Sequence, residues 1–182
     1  MSLAAFAVAA CATPALYPPP SAVPFVDAPF AIEGRLSARR GSEALAANFV
    51  WRHAPPLDDL VLSTPLGQTL AEISADTSVP RYELRTSDGR REEANDWLAL
   101  TERALGVPVP VAGLAAWLAG APHANAPHTI EPDGLGRASV VRQDGWEIVY
   151  AYSDADARHP ARLQLSRFDV DVRIVVTGRR TP

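Results

Sequence analysis

From Phe30 onward, apolar residues recur at every second position. Phe30, Ile32, Gly34, Leu36 and Ala38 alternate with Ala31, Glu33, Arg35, Ser37 and Arg39. Successive side chains of an extended strand point to opposite faces, so this pattern presents one apolar and one polar face. The pattern repeats after the turn-like Arg40-Gly41-Ser42. Leu45, Ala47, Phe49 and Trp51 alternate with Ala46, Asn48, Val50 and Arg52. Short runs follow near Leu60 to Ser63 and Thr69 to Ser74, and Tyr82 and Leu84 then alternate with Arg81, Glu83 and Arg85. The last third repeats the theme in Ala138 to Arg142, Trp146 to Tyr152, Arg162 to Ser166 and Val170 to Val176. Asp88-Gly89 and Asp144-Gly145 supply hairpin turns, because Gly tolerates positive φ. Strands with one buried face belong to an antiparallel sheet.

The middle of the chain changes period. Asn95 or Asp96 can cap a helix from Trp97 to Leu105, which Gly106 stops. Val107-Pro108-Val109-Pro110 is extended, since proline disfavours helix in the residue before it. A second helix runs from about Val111 to Ala119, with Val111, Leu114, Trp117 and Leu118 on one stripe. The expected fold is mainly β with inserted helices. About ten or eleven strands form a strongly curved antiparallel sheet, an incomplete barrel, with the helices as plug or lid over an apolar cavity.

Composition closes off several classes. The chain has 182 residues and a net charge of -4, with 17 basic and 21 acidic residues. It lacks the clustered basic excess of a nucleic-acid footprint. Every basic residue is Arg and none is Lys, which excludes Schiff-base and P-loop lysine chemistry. A single Cys, Cys11, excludes an internal disulfide. His53, His123, His128 and His159 show no metal-ligand spacing, and His123 and His128 read as solvated residues of a Pro-rich loop. Ser, His and Asp are present without G-x-S-x-G, and Glu92, Glu93 and Asp96 read as an acidic turn at a helix start. Arg35, Arg39, Arg81 and Arg85 alternate outward, as a solvated face or as a surface for an acidic carrier. No catalytic residue, metal or cofactor is expected.

The leader has its own logic. Leu3 to Ala10 is a short apolar run, far below the ~20 residues a spanning helix needs. Val8-Ala9-Ala10-Cys11 resembles a bacterial lipobox, although no Arg or Lys precedes the run. That resemblance implies cleavage after residue 10 and lipidation of Cys11. Ala12 in the following position implies sorting to the outer membrane. Six prolines between Thr13 and Pro29 make residues 11–29 an extended tether. The domain plan is thus a signal peptide over 1–10, a tether over 11–29 and a folded domain over 30–178.

The folded part resembles the LolB family of outer-membrane lipoprotein receptors. The residues that carry the likeness are Gly34-Arg35-Leu36-Ser37, Phe49-Val50-Trp51 and Leu62-Ser63-Thr64-Pro65-Leu66-Gly67-Gln68-Thr69. Leu105 to Pro110 then leads into Leu114 to Gly120, and Gln143-Asp144-Gly145-Trp146 precedes Tyr150. Gly178 to Pro182 departs from the aromatic-containing end common in the family. The resemblance implies a half-closed barrel that takes the acyl chains of client lipoproteins from a periplasmic carrier like LolA. It then places them in the outer membrane, with no nucleotide consumed and no enzymatic step. It also implies that Leu66, in the Pro65-Leu66-Gly67 turn, protrudes and engages the membrane; a Leu folded back as a core cap is the alternative. Phe49, Trp51, Trp117 and Trp146 are candidate cavity-lining residues, and core packing alone would also account for them. A monomer is expected. A different function on the same fold would be a lipid-anchored scaffold or assembly factor without an acyl cavity.

Overall fold

A computed structural model of the chain describes residues 28–180, apart from 77, 80, 107, 109, 110, 125 and 156. The proposed signal peptide, Cys11 and most of the tether lie outside the described residues. Six strands come first: β1 (Phe30–Arg40), β2 (Glu43–Ala54), β3 (Leu57–Ser63), β4 (Thr69–Asp76), β5 (Arg81–Thr86) and β6 (Arg91–Ala94). Helices α1 (Trp97–Leu105) and α2 (Val111–Leu118) follow. The chain then returns to strands: β7 (His128–Pro132), β8 (Ala138–Gln143), β9 (Trp146–Ala151), β10 (Arg162–Arg167) and β11 (Val170–Arg180). All eleven form one antiparallel sheet in the order β6-β5-β4-β3-β2-β1-β11-β10-β9-β8-β7. The first and last strands of the chain's β-structure pair centrally, while β6 and β7 remain as edges, so the barrel is open.

The alternation chooses the face. Ile32, Gly34, Leu36 and Ala38 of β1 are buried, as are Ala47, Phe49, Trp51 and His53 of β2. Register shifts in β1, β3 and β7 mark bulges, which bend a sheet and increase its twist. At the β1 bulge Gly34 is required by space. A Cβ there would sit 2.1 Å from the Val175 carbonyl oxygen and 2.9 Å from the Phe49 ring.

The helices fill the concave side. Asp96 caps α1 by accepting a hydrogen bond from Ala99 N at 2.7 Å, and Gly106 ends it at φ 70°. Trp97 and Leu100 are buried, and α1 packs on β4, β5, β6 and α2. On α2, Gly113, Leu114, Ala115, Ala116, Trp117 and Leu118 are all buried. A helix this uniformly apolar can exist only inside a core.

Three local readings of the sequence need correction. His128 opens β7 instead of lying in a loop, because its run pairs with β8 through Thr129 to Arg142 and Ile130 to Val141. Glu92 and Glu93 belong to β6, paired with Leu84 and Glu83, and only Asp96 serves the helix start. Strand β11 continues past Val176 to Arg180, since Arg179 and Arg180 pair with Ile32 and Ala31.

Candidate functional site

Leu66 sits at the apex of the β3–β4 turn. Pro65 fixes its own φ, and Gly67 supplies the left-handed residue at φ 88°. Gly67 N donates to the Thr64 carbonyl at 2.9 Å, Thr64 N donates to the Gln68 carbonyl at 2.8 Å, and Gln68 N donates to Thr64 Oγ1. Asn48 Nδ2 ties the Thr64 carbonyl back to β2 at 3.2 Å. The backbone is thus held while the Leu66 side chain is 92% exposed. The side chain points away from the core, so a core cap is not what it does. Pro65 and Gly67 are exposed beside it.

The four candidate lining aromatics all lie in the one apolar cluster between sheet and helices. They fall into two groups. Trp117 of α2 meets Trp146 of β9, with ring centroids 6.5 Å apart. On β2, Trp51 packs edge-on to Phe30 at 5.2 Å, and Phe49 lies against Gly34. Each is at most 6% exposed. Of the plug and the lid that the sequence suggests, the plug is what the packing of α2 against these aromatics describes.

Polar groups inside the core hold Trp51 and Trp117 in place. Trp51 Nε1 donates to Asp58 Oδ1 at 2.7 Å, and His53 Nδ1 lies 2.8 Å from the same oxygen. All three residues are buried. At the plug, Gln143 Oε1 accepts from Trp117 Nε1 and from His123 N, both at 3.0 Å. Its Nε2 donates to the carbonyls of His123 at 2.9 Å and Ala126 at 3.3 Å. One buried amide therefore joins α2, the following loop and β8. His123 is no free loop residue, because its ring also bonds to Asp144 and to the Ala124 carbonyl. Arg179 Nη2 reaches across from β11 to the Leu118 carbonyl at 2.7 Å, satisfying an orphan acceptor at the end of α2. Burial holds the Tyr150 phenol well above its usual range, so it stays neutral. Burial lowers the His159 pKa, assisted by the charge of Arg179.

The sequence reading missed Asp58, Arg179 and Phe168. Asp58 and Arg179 have no local signature, since Asp58 acts on residues of β2 brought near by strand pairing and Arg179 on the end of α2 brought near by helix-on-sheet packing. Phe168, like Leu66, is a bulky apolar residue in a tight turn, but no Pro or Gly beside it marks that turn in the sequence. Arg81 and Arg85 do lie outward as read, pairing with Glu93 and with Glu72 and Glu83. Among the described residues no helix is long and apolar enough to cross a membrane, and no three His, Cys, Asp or Glu cluster as a metal site would require.

An open antiparallel half-barrel, plugged by two helices and tipped by an exposed apolar turn, defines the class of architecture. Residues 28–178 match the family model described as outer membrane lipoprotein LolB, and the chain belongs to that family. It is 36% identical over 174 residues to the outer-membrane lipoprotein LolB of Chromobacterium violaceum, covering 94% of this chain and 92% of the relative. The LolB of Thiobacillus denitrificans is 38% identical over 174 residues, covering 94% and 90%. That of Azoarcus sp. is 37% identical over 172 residues, covering 93% and 87%.

Proposed function

We propose that this protein is an outer-membrane receptor that accepts triacylated lipoproteins from a soluble periplasmic carrier of the LolA kind and inserts them into the outer membrane. Membership of the LolB family is the observation that carries the reading. Residues 1–10 are removed as a signal peptide, Cys11 is lipidated, and residues 11–29 tether a monomeric domain that faces the periplasm. No cofactor and no catalytic step are involved.

The physics supports such a route. Each acyl methylene moved out of water gains about 0.8 kcal/mol, so a triacylated client needs a shield throughout its passage. The concave face supplies one once α2 is displaced, with Phe49, Trp51, Trp117 and Trp146 lining the acyl chains. Direction comes from a difference in affinity between carrier, receptor and membrane, without an energy-consuming step. Leu66, held between Pro65 and Gly67, engages the bilayer at release.

Replacing Leu66 with Glu tests the membrane step. Client uptake from the carrier should persist, while release into liposomes should stop. Survival of both steps would remove Leu66 from the mechanism. The packed interior favours one second reading, a lipid-anchored scaffold that binds protein through its sheet and takes up no acyl chain. An acyl probe that enters the domain and contacts Trp117 excludes it.

A further inference from the structure

Phe168 is 96% exposed, and Leu66 is the only comparable apolar side chain among the described residues; the next, Leu135, is 62% exposed. Phe168 occupies the two-residue turn between β10 and β11 with φ 52°, a conformation that L side chains rarely adopt. A bulky apolar residue that is both exposed and held at positive φ contributes nothing to the core. Gly or Asn would fit that backbone with less strain.

Strand register places the two tips at one end of the sheet. Arg40 pairs with both Glu43 and Val170, so the β1–β2 and β10–β11 turns are neighbours. Gly41 N donates to the Asp169 carbonyl at 3.4 Å. Asn48 pairs with Ser63, which directs the β3–β4 turn and Leu66 to the same end. The less exposed Val79 and Leu135 lie in connections at the opposite end, and Leu57 opens β3 there.

We propose that the β10–β11 turn is a second membrane-contact element, with Phe168 entering the bilayer at the same end as Leu66 and Arg167 lying at headgroup level beside it. The proposal rests on the membrane-delivery reading above. Arg167 suits that depth. No carboxylate lies within salt-bridge distance of it among the described residues, and its Nε is buried without a partner. Its guanidinium sits over the Phe168 and Trp146 rings at 5.5 and 5.9 Å. It also borders an open recess of about 640 Å³, lined among others by Arg142, Trp146 and Phe168. Cationic heads beside apolar stems place themselves at a lipid interface in this manner. The neighbouring Asp169 carboxylate is drawn to Arg40, 3.7 Å away.

A bilayer fits these tips better than a protein partner does. Protein interfaces draw their energy from a contiguous, desolvated centre. Two single side chains projecting from separate turns offer no such centre, whereas a fluid bilayer accepts each one independently. Reach is also sufficient. The chain enters β1 at Phe30, opposite the tips, because Phe30 pairs with His53. Residues 11–29 can extend to about 60 Å, and the eleven residues of β1 span about 36 Å. A lipid on Cys11 can therefore sit in the same membrane that the tips touch.

The test uses the full chain carrying Cys11→Ser, so that no anchor masks the tips, with vesicles of phosphatidylethanolamine and phosphatidylglycerol. Phe168→Asn suits the backbone and should fold at least as stably. It should weaken vesicle partition on the order of ten-fold. Phe168→Trp should be quenched by brominated lipid, while the protein without that Trp, whose own Trp side chains are all buried, should not be. Unchanged partition of Phe168→Asn, or a Trp at 168 that brominated lipid leaves unquenched, would overturn the proposal. So would a loss of client uptake from the carrier with partition intact, which would make Phe168 a protein contact. Failure of the Cys11→Ser protein to take up client at all would instead count against the delivery reading, and the quenching result would stand separately.

Discussion

Replacing Gln143 with Leu should loosen the plug without removing apolar contact. Gln143 is 2% exposed, and its amide serves two donors and two acceptors. Leu fills similar space but satisfies none of them. Trp117 Nε1 is then left buried without an acceptor, which costs about 1–3 kcal/mol. The backbone groups of His123 and Ala126 are partly buried and add less, so the total should be about 3–4 kcal/mol. For a chain of this size that lowers Tm by about 10 °C. Loosening should be local as well. Amide exchange should quicken in α2 and residues 121–127 and stay slow in β1, β2 and β11. An apolar fluorescent probe should enter faster, because the plug leaves more readily. A stability change below about 0.5 kcal/mol, with exchange in α2 unaltered, would refute the role of Gln143 as the tie between plug and sheet.

Other perturbations test the remaining supports. Asp58→Ala removes the acceptor of Trp51 Nε1 in a buried site, so denaturant unfolding should show a loss of about 1–3 kcal/mol. Gly34→Ala drives a methyl group into the Val175 carbonyl and the Phe49 ring, and should cost about 1–3 kcal/mol or prevent soluble expression. His159 has a lowered pKa in the folded protein, so the unfolded chain binds its proton more readily. Its contribution is therefore complete above the ordinary His pKa of about 6.5 and is lost as pH falls below that value. The His159→Gln protein should show a flatter pH dependence of Tm in that window.

The sheet was legible because period-two alternation is dictated by the strand itself. Gly34, Phe49 and Trp51 face inward as their spacing requires, and Asp96 and Gly106 bound α1 as their chemistry requires. Strand β7 was not legible, since His128–Pro132 alternates weakly and gains its conformation from pairing with β8. The C-terminal Gly178-Arg179-Arg180 looked like a departure at the end of the domain, yet it completes β11, and Arg179 holds the end of α2. Leu66 could be singled out from its turn chemistry together with the family likeness. Phe168 has neither that Pro and Gly flank nor a place in a quoted family motif, and only its exposure and backbone angle distinguish it. The helices could be expected as plug or lid, but spacing shows only which side chains share a face, not that α2 packs Trp117 against Trp146.

The central claim is tested most directly by client transfer. The full chain carrying Cys11→Ser is mixed with a periplasmic carrier loaded with a triacylated lipoprotein, and the distribution of client between the two is measured at equilibrium. The account predicts that the client moves to this protein and that its acyl chains cross-link to a photoreactive group near Trp117 or Trp146. A client that stays on the carrier while this protein is folded would contradict it.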